Sequence, residues 1–377
     1  MNNIYLNKYL EKKSIHKIGK PHKSITPKKF DFFVVIPCYN EFDYIFKTLK
    51  SINNQEQTIL NNTLIIIVIN NSKEESDLVK SNNQNTYQKL IEKKYNFNFI
   101  VIDSFSKQYA IPKKLAGVGY ARKIGLDFSL NYISSNEAIL CCLDADTLVS
   151  NNYLKKIKQK FYKNINVAVI NFKHQTSKNH IIEEGIRKYE NLIKEIAKQI
   201  ELTGSPYGYV SMGSTIICNV KAYIACGGMN TKPATEDFYF LQALSKYTKI
   251  HKINEILVFP SSREENRVYL GTGFRMDEYL KNRFFKDLNF KEDSFLEIKN
   301  IIEIVNEYQD YEYNFILKKM TKKLNKKSIQ FLIEKDFKKI WDKFKTNSKN
   351  KEQFMLFFHQ WFDALSIIKL LKNLNNH

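Results

Sequence analysis

Apolar residues come in short runs at 32–36, 64–69, 97–102, 138–143 and 166–172, most of them rich in β-branched residues. Runs of that length without alternation are the mark of strands buried on both faces. Between most of them the period changes. Phe42, Ile45, Leu49 and Ile52 recur at helical intervals after the first run, which ends at Pro37, so the chain reads strand, turn, helix. Repeating that unit predicts an α/β fold on a doubly wound, mostly parallel sheet. Ligands of such sheets sit beyond the carboxyl ends of the strands, so the residues after each run carry the candidate chemistry.

Glycine and proline mark where this pattern stops. Eleven of the twelve Gly lie between Gly117 and Gly273, and no proline follows Pro260. Residues 274–377 contain neither, while Lys, Glu, Leu, Ile and Phe recur at helical spacing, which predicts an all-helical C-terminal extension. The expected organisation is a basic N-terminal extension 1–30, an α/β domain 31–273 and the helical extension 274–377.

Charge adds a partner to the picture. The chain has 377 residues, and 59 Lys plus Arg against 39 Asp plus Glu leave a formal net charge of +20, which points to something anionic nearby. In the extension the charge is segregated: 274–312 carries six basic and ten acidic residues, 313–351 thirteen basic and three acidic. An anionic membrane surface fits such basic helices, with the aromatic, amphipathic stretch 354–371 either touching lipid or serving as a core or dimer helix. Lysines dispersed along helices without an RNA-binding signature argue against nucleic acid. A content of 43% hydrophobic residues excludes disorder as the main state. The longest apolar runs fall far short of the roughly 20 residues of a membrane span. The first thirty residues hold eight Lys and one Glu but no apolar block, so no secretory signal is read there. The expectation is a cytoplasmic protein, peripheral at the inner membrane face where it attaches. Its five cysteines form no CxxC and read as reduced core residues.

The strand ends carry distinctive residues. The first run closes on Pro37, Tyr39, Asn40 and Glu41, where a base would stack and hydrogen-bond; alternatively Asn40 caps the next helix. Asn70 and Asn71 end the second, suited to a ribose or uracil edge or to a plain turn. A glycine-bearing helix start at 117–119 leads to Arg122. The chain has only six Arg against fifty-three Lys, so Arg122, Arg263, Arg267 and Arg275, all near glycines, suggest places where a planar fork on a diphosphate or carboxylate matters. The fourth run ends in Asp144-Ala145-Asp146. Two carboxylates at a ligand-binding strand end repel unless a hard divalent cation joins them to a phosphate. Thr235-Glu236-Asp237 opens another helix, with Thr235 suited to cap it and Asp237 to serve as a base. The Gly- and Ser-bearing stretch 207–214 suits a polyol pocket.

In this order these marks resemble the inverting family 2 glycosyltransferases of the GT-A fold, from about residue 32 to 273. The first-strand signature is matched by Pro37, Tyr39, Asn40 and Glu41, and the A-R-x-x-G helix start by Ala121, Arg122 and Gly125. The resemblance implies a nucleotide diphosphate sugar donor, UDP-linked, and an acceptor hydroxyl on a glycan, a lipid-linked or a small phosphorylated molecule. It implies Mn²⁺ or Mg²⁺ on Asp144 and Asp146, nucleotide contacts from the first-strand residues, Asn70, Arg122 and Asp144, and Asp237 as catalytic base. Glu236, Arg263 and Arg267 fall on the acceptor or diphosphate side. Many members place a metal-binding His after the strand that follows the Glu-Asp helix; here that stretch reads 258–263 without His, and His251 is the nearest candidate.

Overall fold

The computed structural model describes residues 4–24, 28–232, 235–263, 271–285 and 287–375. Nine strands form one sheet: β1 (Lys20–Pro21), β2 (Phe32–Cys38), β3 (Thr63–Asn70), β4 (Asn98–Ser104), β5 (Ile139–Cys142), β6 (Leu148–Val149), β7 (Val167–Phe172), β8 (Ile216–Asn219) and β9 (His251–Phe259). Their order is β1-β4-β3-β2-β5-β8-β7-β9-β6. The strands β2, β3, β4, β5, β7 and β9 share one direction, while β1, β6 and β8 oppose it. The five apolar runs of the sequence are β2, β3, β4, β5 and β7 within one or two residues. Every residue of β2 and β3 is buried, the outcome expected of central strands covered on both faces. The antiparallel β8 was not legible, because its four residues adjoin a glycine- and serine-bearing stretch that reads as loop.

Two compact units divide the chain: residues 1–186 with 211–280, and residues 187–210 with 281–377. The division therefore differs from the one read at 30/31 and 273/274. The N-terminal segment belongs to the sheet unit for a physical reason. The helix Ile4–Lys12 buries Leu6 and Tyr9. The Tyr9 and Tyr223 hydroxyls donate to Asp127 Oδ1 at 2.7 and 2.8 Å, while Asp127 Oδ2 accepts from the Ile15 amide at 2.8 Å and pairs with Lys123 at 3.0 Å. Asp127 is fully buried, and only a network this complete makes such a charge tolerable. Asp127 lies on the helix Val118–Ser129, which presses on the sheet where a Cβ at Gly125 would overlap Val35. Four of the five cysteines are buried, and all are free thiols.

In the second unit, 287–375 is helical between short turns, with Trp341, Phe337, Phe358 and Phe362 in its core. Of the apolar residues of 354–371, Phe354, Phe358, Phe362, Ile367, Leu370 and Leu371 are buried in that core, while Leu356 is exposed. This segment thus contributes to the core of its unit. Lys318, Lys322, Lys323, Lys326 and Lys327 are exposed. Among the described residues no single helix is long and apolar enough to cross a membrane.

This unit also has a titratable weak point. Burial pushes the His359 imidazole down to about 4, and its Nδ1 has no hydrogen-bond partner among the described residues. A pKa lower in the folded than in the unfolded chain means that the unfolded state takes up the proton first. Stability is therefore full above about pH 6.5 and falls as pH drops toward 4, by on the order of 2–3 kcal/mol. Both tryptophans, Trp341 and Trp361, lie in this unit. Urea unfolding followed by tryptophan fluorescence should show the slope in wild type and a flatter one in His359→Phe; parallel slopes would remove His359 as the cause.

Candidate active site

The central strands deliver the first group of residues. β2 pairs with β3 from Phe32↔Thr63 to Cys38↔Ile69, so Tyr39 follows beside Asn70 at the carboxyl edge. There the chain turns sharply: Asn40 has φ 58°, a left-handed conformation that Asn tolerates better than most residues. Asn40 caps no helix; the next one, Ile45–Asn53, starts after Tyr44 without a side-chain cap. A buried Asn83 stitches this edge together. Its Oδ1 accepts from the Asn40 amide at 2.9 Å, and its Nδ2 donates to the Asn70 carbonyl at 3.1 Å and to Asn71 Oδ1 at 2.8 Å. Asn70 Oδ1 is buried and keeps an unused acceptor. Tyr39 and Asn40 are half-buried and Glu41 is buried.

After β5 the Asp144-Ala145-Asp146 turn is fixed by its backbone, leaving its carboxylates to the site. The Ala145 carbonyl accepts from Thr48 Oγ1 at 2.8 Å, and the Asp146 carbonyl accepts from Gln175 Nε2 at 2.8 Å. The same Gln175 Nε2 donates to the Phe259 carbonyl at 2.8 Å, and β6 pairs with the end of β9 through Leu148↔Phe259.

Arg122 joins this turn to the Glu-Asp helix, Glu236–Tyr247. Its Nη2 holds Asp144 Oδ1 and its Nη1 holds Glu236 Oε1. The guanidinium is almost wholly buried, and a Cβ at Gly213 would overlap it, so only glycine fits against this fork. Expected on a nucleotide's phosphates, Arg122 instead spends both Nη atoms as a brace between two carboxylate motifs. Glu236 is further placed by Asn230, whose Nδ2 donates to the Glu236 carbonyl at 2.9 Å. Thr235 departs from its expected role: it adopts φ 61°, and its side chain makes no cap bond to the helix. Such a backbone is rare for a β-branched residue and marks local strain just before the acidic pair.

Arg263, four residues past the end of β9, forms a second bridge. Its Nη2 lies 2.5 Å from Glu41 Oε1 and 3.2 Å from Asp146 Oδ2, and its guanidinium lies over the Tyr44 ring, 4.1 Å from the centroid. Arg267 lies outside the described residues.

Among the described residues, Glu41, Asp144, Asp146, Glu236 and Asp237 thus gather around the guanidinium groups of Arg122 and Arg263. Burial raises the pKa of both Glu236 and Asp237 above the usual carboxylate range, and Arg122 opposes the rise. Asp144 and Asp146 are hard oxygen donors of the kind Mg²⁺ and Mn²⁺ take, and the excess of negative charge suits a dication. Among the described residues no group of three or more His, Cys, Asp or Glu is placed to hold a metal ion. Mg²⁺ commonly takes one or two carboxylates and completes its shell with water and substrate phosphates, so the aspartate pair fits. His251 does not reach them: it starts β9, and the whole nine-residue strand separates it from the Phe259 end that lies beside Asp146.

The structure brings together the carboxylates and Arg122 that the sequence singled out, and adds Asn83, Gln175, Thr48 and Tyr44, which it did not. The three polar residues act on backbone atoms of other segments, which leaves no local pattern. Tyr44 follows Glu41 by three residues and was readable only as part of a helix start.

Residues 33–219 match the family model of glycosyl transferase family 2. The match spans the first-strand residues, Arg122 and the aspartate pair; Glu236, Asp237 and Arg263 lie past its end. No curated protein sequence matches the chain. Among solved structures the chain is similar to S. aureus TarS 1–349 in complex with UDP-GlcNAc, at 12% identity over 87% of this chain and 90% of that one, with a TM-score of 0.42. It is also similar to the mannosyltransferase PcManGT from Pyrobaculum calidifontis in complex with GDP-Man and Mn²⁺, at 11% identity over 96% and 97%, with a TM-score of 0.43.

Proposed function

Since this chain belongs to glycosyl transferase family 2, we propose that it transfers a sugar from a UDP-linked donor to an acceptor hydroxyl with inversion, using Mn²⁺ or Mg²⁺. The observation that carries this reading is the Arg122 brace. It brings Asp144 and Glu236, far apart in sequence, onto one guanidinium at the carboxyl edge of the sheet. Beside them, Tyr39 offers a ring and Asn70 an unused Oδ1 that suits the imide N–H of uracil.

Asp144 and Asp146 would hold the cation, which supplies charge neutralisation for the leaving diphosphate. Asp237 accepts the acceptor's proton. The freed oxygen forms its bond to the anomeric carbon from the face opposite the diphosphate, the anomeric carbon–oxygen bond breaks, and the nucleoside diphosphate departs with that electron pair. A carboxylate whose pKa burial has raised is a stronger base for this step than a solvated one. Arg122 keeps the aspartate turn and the base-bearing helix at a fixed spacing while charge shifts between them.

Calorimetric titration with UDP, GDP and their sugar conjugates, in Mn²⁺ and then in EDTA, tests the reading. One UDP-sugar should bind in metal, and at least about tenfold more weakly in EDTA or in Asp146→Ala. Preference for a GDP-sugar would replace the donor; no binding of any nucleotide sugar would overturn the reading.

A further inference from the structure

Arg263 stands where its charge conflicts with the cation just placed on Asp146. Its Nη2 lies between Glu41 Oε1 at 2.5 Å and Asp146 Oδ2 at 3.2 Å. The seat is shaped for a planar cation, with the Tyr44 ring beneath the guanidinium and Glu41 almost wholly buried behind it. The other aspartate of the pair is held by Arg122. Each carboxylate of the turn therefore already has a guanidinium of its own, and a dication added to Asp146 would meet a positive charge within one hydrogen-bond length of the same carboxylate group.

We infer that Arg263 is an internal counter-ion that neutralises Glu41 and Asp146 until donor and cation arrive and that leaves Asp146 as they bind. The inference rests on the reading that Asp144 and Asp146 bind a divalent cation. The two guanidinium groups differ in the way this role requires. Arg122 is almost wholly buried and overlaps any Cβ at Gly213, so it is fixed. Arg263 is more exposed, with 18% of its side chain accessible, and it lies four residues past the end of β9, outside any helix or strand. Released from Asp146, its fork matches phosphate oxygens, so the diphosphate that accompanies the cation offers the displaced charge a new partner. The seat then makes cation and donor binding interdependent: the cation alone must expel Arg263 uncompensated, whereas cation with diphosphate need not.

The test measures Mn²⁺ binding to the full chain by electron paramagnetic resonance, with and without UDP, in wild type, Arg263→Gln, Arg263→Lys and Asp146→Ala. Without UDP, Arg263→Gln should bind Mn²⁺ at least about tenfold more tightly than wild type, because one positive charge beside the dication is gone. Arg263→Lys keeps the charge and should stay near wild type, which separates electrostatics from altered packing. With UDP the gap between wild type and Arg263→Gln should close. Equal Mn²⁺ affinity of wild type and Arg263→Gln without UDP, or Arg263→Lys behaving as Arg263→Gln does, overturns the counter-ion while leaving the donor reading intact if Asp146→Ala still loses Mn²⁺ in the presence of UDP. Mn²⁺ binding with UDP that is unaffected in Asp146→Ala overturns the metal reading and the inference with it.

Discussion

Asp237→Asn should bind the donor as wild type does and transfer sugar at least about a thousandfold more slowly, since a positioned general base is worth 10²–10⁴. Asparagine keeps the size of the side chain and an oxygen for the contact that Asp237 Oδ1 makes with the Phe238 amide at 2.7 Å, so the helix start is preserved while the basic oxygen is lost. The pH profile of the wild type supplies an independent check. Burial raises the pKa of Asp237, Asp144 adds to the rise, and Arg122 opposes it. The side chain acts as a base only when ionised, so kcat/KM should fall on the acid side with a midpoint above the ordinary aspartate value of about 3.9. The residual rate of Asp237→Asn should lack that limb. Turnover within tenfold of wild type would assign proton removal to another group, with Glu236 the first to examine.

How much of this was legible depended on the range of the interaction. The buried strands announced themselves because both faces of β2 and β3 need apolar side chains, which writes the burial directly into consecutive letters. The helical extension was legible because 274–377 lacks both helix breakers. Asp144 and Asp146 could be singled out because a strand end converts a common dipeptide spacing into a position. What stayed hidden was mutual placement. Nothing around residue 263 says that its guanidinium will rest on Tyr44 and reach Glu41, because Glu41 and Tyr44 follow β2 while Arg263 follows β9, and only the folded sheet brings those two strand ends together. The N-terminal segment misled for a related reason: eight lysines in thirty residues look like a solvated extension, while the residues its helix buries, Leu6 and Tyr9, are a minority among them. Tyr9 meets its partner Asp127 more than a hundred positions later.

Arg122→Leu should be the most destabilising single change in the sheet unit. The substitution leaves Glu236, buried with 6% of its side chain accessible, and Asp144, at 32%, without the guanidinium that both share. Removing one partner of a buried ion pair costs about 3–5 kcal/mol, chiefly because the remaining charge is stranded. That origin predicts how the loss can be reversed. Glu236→Gln in the Arg122→Leu background removes the stranded charge, so the double variant should regain more than half of the stability, whereas Glu236→Gln alone should lose some. Arg122→Lys should fall between, because an ammonium carries the charge but cannot span two carboxylates with a planar fork. The tryptophans lie in the other unit, so hydrogen exchange of the helix Val118–Ser129 in the full chain is the suitable readout. A loss below about 1 kcal/mol in Arg122→Leu, or no recovery in the double variant, would mean that the two motifs are held together by the Gln175, Thr48 and Asn230 bonds to their backbones. Arg122 would then be free to contact the donor, and the brace would no longer carry the functional reading.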